Sequence, residues 1–164
     1  MIANLREKIT PADIADYFIA LANETGDVMT NLKLQKLVYY AQAWYLAINK
    51  KPLFDEDFEA WVHGPVIPAL YQTYKVNGSQ PIISEVTISE VSKRLNPSVV
   101  KFLDEVAGVY MTFNAYALEA MTHQETPWIE ARSGCDSDQS CTEKITKESM
   151  IAFYGGKISN KSVV

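Results

Sequence analysis

The stretch "TNLKLQKLVYYAQAWYLAINK", residues 30–50, decides the fold. Thr30 is a residue type that caps helices, because its hydroxyl can accept a hydrogen bond from an otherwise orphaned backbone N–H of the first turn. Behind it Leu34, Leu37, Val38, Ala41, Tyr45 and Ile48 recur at helical spacing, an apolar stripe of about five turns. The pattern predicts the central helix of the molecule. Burial at about 1.5–3 kcal/mol per large apolar side chain, rather than intrinsic propensity, should hold it in place. Lys33, Gln35, Lys36, Gln42 and Trp44 fall off the stripe and are expected to point partly outward, giving this helix a mixed surface.

Upstream, "TPADIADYFIALANETG" carries Thr10 as a cap, Pro11 at the first helical position, Asp13 in the first turn and Gly26 as a stop. Downstream, "PLFDEDFEAWVHGPVIPALYQTYK", residues 52–75, changes period. Phe58, Ala60 and Val62 alternate with Glu59, Trp61 and His63, as in a half-buried strand or hairpin. Gly64 and Pro65 are expected to turn the chain, and Ile67, Leu70, Tyr71 and Tyr74 then resume helical spacing. "PIISEVTISE" reads either as a strand or as irregular chain. Further helices are expected from Asn96–Pro97, from about Asn114, at Pro127 in "ETPWIEAR", and in "TKESMIAFYGG" between Thr146 as a cap and Gly155 as a stop. The expectation is one domain over residues 1–164, mainly α: a compact helical bundle with a small β-hairpin or short sheet at one edge.

Composition narrows the function classes. The net charge of −5 disfavours a surface that tracks phosphates, so no direct nucleic-acid contact is expected and a basic protein partner is favoured. No apolar run approaches the roughly 20 residues that cross a bilayer, and the start of the chain lacks the apolar block of a secretory signal. Membrane association is not expected, and the cytoplasm is the expected compartment. Cys135 and Cys141, in "GCDSDQSC", are then expected as free thiols, with a small disulfide as the alternative.

The chemistry-bearing residues are sparse. His63 and His123 each stand beside a loop or helix breaker, where an imidazole most simply orders a corner. With Tyr71 they would be the acid and base of a small-molecule site if the protein were an enzyme. They form no close ligand pair with Cys135 and Cys141, so no metal is expected, and no phosphate-binding or dinucleotide motif implies a cofactor. Asp55, Glu56, Asp57 and Glu59 read either as a solvated face or as a patch for a basic partner. The tyrosines and tryptophans between Tyr39 and Tyr74 are core residues or binding anchors.

Three blocks, "LKLQKLVYYAQAWYLA", the stretch at 52–75, and "MTHQETPWIEAR", together resemble the Panacea domain, the family of SocA-like antitoxins and phage-associated GepA proteins. They occur in the family's order and, together with the spacing, cover nearly the whole chain from about Thr10 to Tyr154. The resemblance implies a prokaryotic or phage antitoxin that neutralises a cognate toxin protein by direct contact. It also implies a second mechanism, an adaptor delivering the toxin to a cytosolic protease. Family positions fall on Gln35, Lys36, Tyr40 and Trp44 in the long helix, on Trp61, Gly64, Pro65 and Tyr71 in the corner, and on Thr122, His123, Pro127 and Trp128. Most of these are expected to be structural. Partner contacts are expected at Asp55, Asp57, Glu59 and His63, and on the helix face of Lys33, Lys36 and Trp44. No catalytic residue is expected.

Overall fold

The structure, a computed structural model, describes residues 8–161. The chain runs through α1 (Pro11–Thr25), α2 (Asn31–Asn49), β1 (Phe58–Trp61), β2 (Gly64–Val66), α3 (Pro68–Tyr74) with a 3-10 turn at Lys75–Asn77, and α4 (Ile88–Ser92). It continues through α5 (Pro97–Tyr110), α6 (Ala115–His123), α7 (Thr126–Ala131), β3 (Lys144–Ile145) and α8 (Lys147–Lys161). The protein is mainly helical with a small antiparallel sheet in the order β2-β1-β3.

The helix ends follow their capping chemistry. Thr10 accepts from the Asp13 N–H while the Asp13 carboxylate takes the Thr10 N–H, a reciprocal capping box, and Gly26 closes α1 in the left-handed region at φ 74°. Thr30 accepts from Lys33 N at 3.2 Å to start α2. Asn96 and Asn114 cap α5 and α6 through their side chains. The ambiguous "PIISEVTISE" is extended chain up to Thr87, which caps the short α4.

Four expectations are corrected. The turn of the hairpin is Val62–His63, and Gly64 and Pro65 lie within β2, where they pair with Trp61 and Ala60. The helix α8 does not stop at Gly155 but continues to Lys161. Cys135 and Cys141 are joined in a disulfide rather than free. Arg132 drives that geometry: its Nη2 donates to the carbonyls of Asp136 at 2.7 Å and Gln139 at 2.6 Å, folding the loop until the two Cα atoms are 6.1 Å apart, within bridging range.

The fourth correction concerns α2. It packs against α1, α3, α5, α6, α8 and β2, so it is enclosed on nearly every side. Leu34, Leu37, Val38 and Ala41 are in the core as the stripe predicts, but Gln35, Lys36 and Gln42 are just as buried and Lys33 nearly so. Toward its end the helix becomes exposed at Ile48, which the stripe placed inside. The expected mixed surface at Lys33, Gln35, Lys36 and Gln42 does not exist. Each of these polar groups instead meets a backbone or side-chain partner that an apolar residue would have left unpaired.

Candidate functional site

Those buried polar side chains build a corner. Gln42 takes the Leu53 N–H on its Oε1 at 2.8 Å and donates from Nε2 to the Phe54 carbonyl at 2.7 Å, fixing the start of the irregular run before β1. Gln35 takes the Ile67 N–H at 3.2 Å and donates to Asn31 at 3.0 Å, and Asn31 in turn donates to the Tyr71 carbonyl at 3.1 Å. Lys36, wholly buried, donates from Nζ to the Pro65 carbonyl at 3.1 Å. Burial pushes its ammonium down to about 7, with the charge of Glu119 opposing that shift. Lys33 donates to the Met111 carbonyl at 2.7 Å, and burial lowers its pKa as well.

Gly64 is required here for two reasons. Its φ is 103°, a conformation that residues with a side chain rarely adopt. A Cβ would also stand 2.5 Å from Lys36 Cε and 2.9 Å from Thr122 Oγ1. Thr122 is buried and bonds the Glu119 carbonyl at 2.8 Å, so α6, β2 and α2 meet at this glycine. Pro65 is buried in β2. Pro127 is buried in the first turn of α7, where a missing N–H is harmless.

The two histidines divide their roles. His63 is at the tip of the hairpin, largely exposed, with Nδ1 2.7 Å from Glu119 Oε1. His123 lies behind it and stacks on Trp128 at 4.0 Å between ring centroids. Burial lowers the His123 pKa, against the pull of Glu119 3.9 Å away, and its Nε2 is enclosed without a hydrogen-bond partner. Trp128 donates from Nε1 to the Trp61 carbonyl at 2.9 Å, and the Arg132 guanidinium sits over its ring. A second polar centre supports the corner from the bundle side. Glu125 Oε1 accepts from Tyr40 at 2.6 Å and from Tyr154 at 2.9 Å, and Tyr40 stacks on Tyr110. Burial raises the Glu125 pKa, and the two phenols act in the opposite direction.

Outside this frame lies a cleft of about 370 Å³ lined by Asn31, Leu32, Trp61, Val62, His63, Val66, Tyr71, Gly78, Ser79, Ser140 and Cys141. Trp61 and Tyr71 meet edge to face at 5.0 Å, and Trp61 Nε1 donates to Glu59 at 2.9 Å. Both rings are half-buried, each presenting part of an apolar body to the cleft. Of the residues expected to touch a partner, only His63 lines this cleft. Asp55 is paired with Lys8, whose hydrogen bond and charge hold its carboxyl below the ordinary value. Asp57 is paired with Lys147 at 2.7 Å and Lys144 at 3.6 Å. The acidic run is therefore largely offset by the chain's own lysines. Trp44 is half-buried elsewhere, its Nε1 bonded to the Tyr110 hydroxyl at 2.7 Å, on the floor of a separate groove with Ile48, Phe102 and Val109. Among the described residues no three His, Cys, Asp or Glu side chains converge on a point that could hold a metal ion.

Sequence reasoning missed Glu119, Glu125, Tyr154 and Arg132. Glu119 had a local signal, since it stands one helical turn before His123. Glu125 and Tyr154 are 29 residues apart and had none.

The segment matched by a known family includes this corner. The family model described as "Antitoxin SocA-like, Panacea domain" matches residues 34–129, more than half of the chain. Antitoxin SocA of Caulobacter vibrioides is 37% identical over 68 residues, a stretch covering 42% of this chain and 36% of that protein. The match thus spans about a third of the relative's length. No solved structure matches the chain.

Proposed function

Because this chain belongs to the antitoxin SocA-like, Panacea domain family, we propose that it is an antitoxin that neutralises a cognate toxin protein by direct contact, with the cleft beside the hairpin as the contact surface. One observation carries the reading: within the family-matched segment, the buried Gln35, Lys36 and Gln42 brace the corner while Trp61, His63 and Tyr71 line one cleft. Buried polar side chains that each hold a backbone group prebuild the surface, so little ordering entropy is lost on binding. Tyrosine and tryptophan beside apolar walls are the residue types that anchor protein interfaces. The expected setting is the cytoplasm. No described helix is long and apolar enough to cross a membrane.

The test is growth rescue. Genes adjacent to this one are induced singly, and the one that arrests growth is co-induced with this chain. Wild-type chain is expected to lift the arrest and to co-elute with the purified toxin, while Trp61→Ala/Tyr71→Ala, checked for its helical circular dichroism, does neither. Full rescue by that folded double variant would move the contact surface elsewhere. Stable toxin levels in rescued cells favour neutralisation by binding, whereas toxin loss that needs a cytosolic protease favours delivery for degradation.

A further inference from the structure

The antitoxin reading uses the hairpin residues of the cleft and leaves two others that line it, Ser140 and Cys141, without a role. Those residues close a loop whose residues 133–140 are almost all exposed, and which lies outside the family-matched segment. This part of the cleft therefore lies beyond the segment that the family model matches. The disulfide spans it unequally: Cys141 is buried and lines the cleft, while Cys135 is half-buried within an otherwise exposed loop. Arg132 couples the loop to the hairpin, because the same guanidinium that gathers the Asp136 and Gln139 carbonyls donates from Nη1 to the Ala60 carbonyl at 2.8 Å. Ala60 also donates its N–H to the Glu143 carbonyl at 2.9 Å, just past the loop. Ala60 immediately precedes Trp61, which lines the same cleft.

We propose that Cys135–Cys141 is a thiol–disulfide exchange site whose redox state sets the loop side of the cleft, and through it the fit of the cleft to its partner. This rests on the cleft being the toxin contact. In a reducing compartment a persistent structural bridge is uncommon, and a bridge at a surface loop with one cysteine less buried than the other is the arrangement that exchanges. The reagent class is a small thiol or a dithiol protein. Its thiolate attacks the sulfur of Cys135, the less buried of the two, the Cys135–Cys141 bond breaks, and Cys141 leaves as a thiolate that takes a proton. A second reagent thiolate then attacks the reagent sulfur of the mixed disulfide, releasing the Cys135 thiolate, which is protonated. The chain gains two electrons and two protons, and the reagent is oxidised to its disulfide. Opening the ring returns conformational freedom to an exposed loop, whose carbonyl bonds to Arg132 then compete with water.

The experiment uses the full chain labelled with nitrogen-15, oxidised and after dithiothreitol, with alkylation mass counting the thiols. Reduction is expected to speed amide exchange across residues 134–141 by about tenfold or more. It should also shift the indole N–H resonance of Trp61 and leave that of Trp44, which lines a separate groove, in place. Cys135→Ser, at the less buried position, should reproduce the reduced spectrum and no longer respond to dithiothreitol. Two thiols alkylated without reductant, or an unchanged loop exchange and Trp61 resonance on reduction, would overturn the proposal. Binding of the toxin identified by growth rescue, measured on both forms, should differ by at least about tenfold, and equal affinity also overturns it. Failure of rescue with both wild-type and Cys135→Ser chains counts against the antitoxin reading, and the loop spectra then judge the exchange site alone.

Discussion

Two polar clusters close together in the chain have opposite fates. Gln35, Lys36 and Gln42 stand on a helix between apolar residues and end up wholly enclosed, each bonded to a backbone group of the segment from Leu53 to Ile67. Asp55 and Asp57 stand in that same segment and remain at the surface, bonded to lysines. The difference lies in what each group can find. An amide or a single ammonium can be satisfied by the carbonyls and N–H groups of an irregular chain packed over a helix, whereas a run of carboxylates offers only acceptors and must seek cations or water. The enclosed cluster defines the shape of the corner. The exposed one is met by lysines of the same chain.

Substitutions that break this contrast should be graded accordingly. The largest effect is expected at Gly64, where alanine meets both a left-handed backbone and the Lys36 stem. Gly64→Ala should cost about 3–5 kcal/mol in urea unfolding, and a loss below about 1 kcal/mol would show that the enclosed corner yields.

Next is the pH dependence from Lys36. Its pKa of about 7 in the folded chain lies below the ordinary 10.5, so between those values the unfolded chain binds more protons than the folded one and stability rises with pH. At about 1.4 kcal/mol per unit, the rise from pH 7 to 9.5 is at most roughly 3 kcal/mol, and it should be absent in Lys36→Met. Below pH 7 this group adds no further slope. Parallel unfolding curves for the two proteins across that range would place the ammonium in water.

Smaller still is Trp61→Ala, expected to cost about 1–2 kcal/mol because the indole is half-buried, against the 3–5 kcal/mol of a fully enclosed ring. Its sharper consequence is in toxin capture, where a loss of tenfold or more is expected by titration. The smallest effect is expected from Asp57→Asn, within about 1 kcal/mol in thermal or urea unfolding and fading in high salt, since its partners are lysines at a partly exposed surface. A larger, salt-independent loss would move the acidic run from charge balance to the frame of the corner.

Much of the architecture was legible because its signals are local. A cap, a proline in the first turn and a recurring apolar face lie within one helix, and they located α1, α2 and α5 to within a residue or two. The period change at Phe58 likewise marked the strand before any partner was known. The hairpin turn was misplaced because Gly64–Pro65 carries the usual composition of a turn, while its glycine is there for close approach to Lys36. The orientation of α2 was misread for a different reason. Periodicity reports one apolar face, and a helix surrounded by six other elements buries its polar face too, if that face meets unsatisfied backbone.

What the chain determined by itself, then, is the set of elements, the mainly helical class and the three blocks that mark its family, since each depends on residues a few positions apart. What only the tertiary structure decided is which polar side chains serve as internal braces, that Trp61, His63 and Tyr71 share a cleft, and that the end of a bridged loop lines it too. Those facts depend on contacts between residues tens of positions apart, such as Arg132 with Ala60 and Lys36 with Pro65, and on the demand of every buried backbone group for a partner. A sequence shows which residues have hydrogen-bonding capacity; only the packed chain shows where that capacity is used.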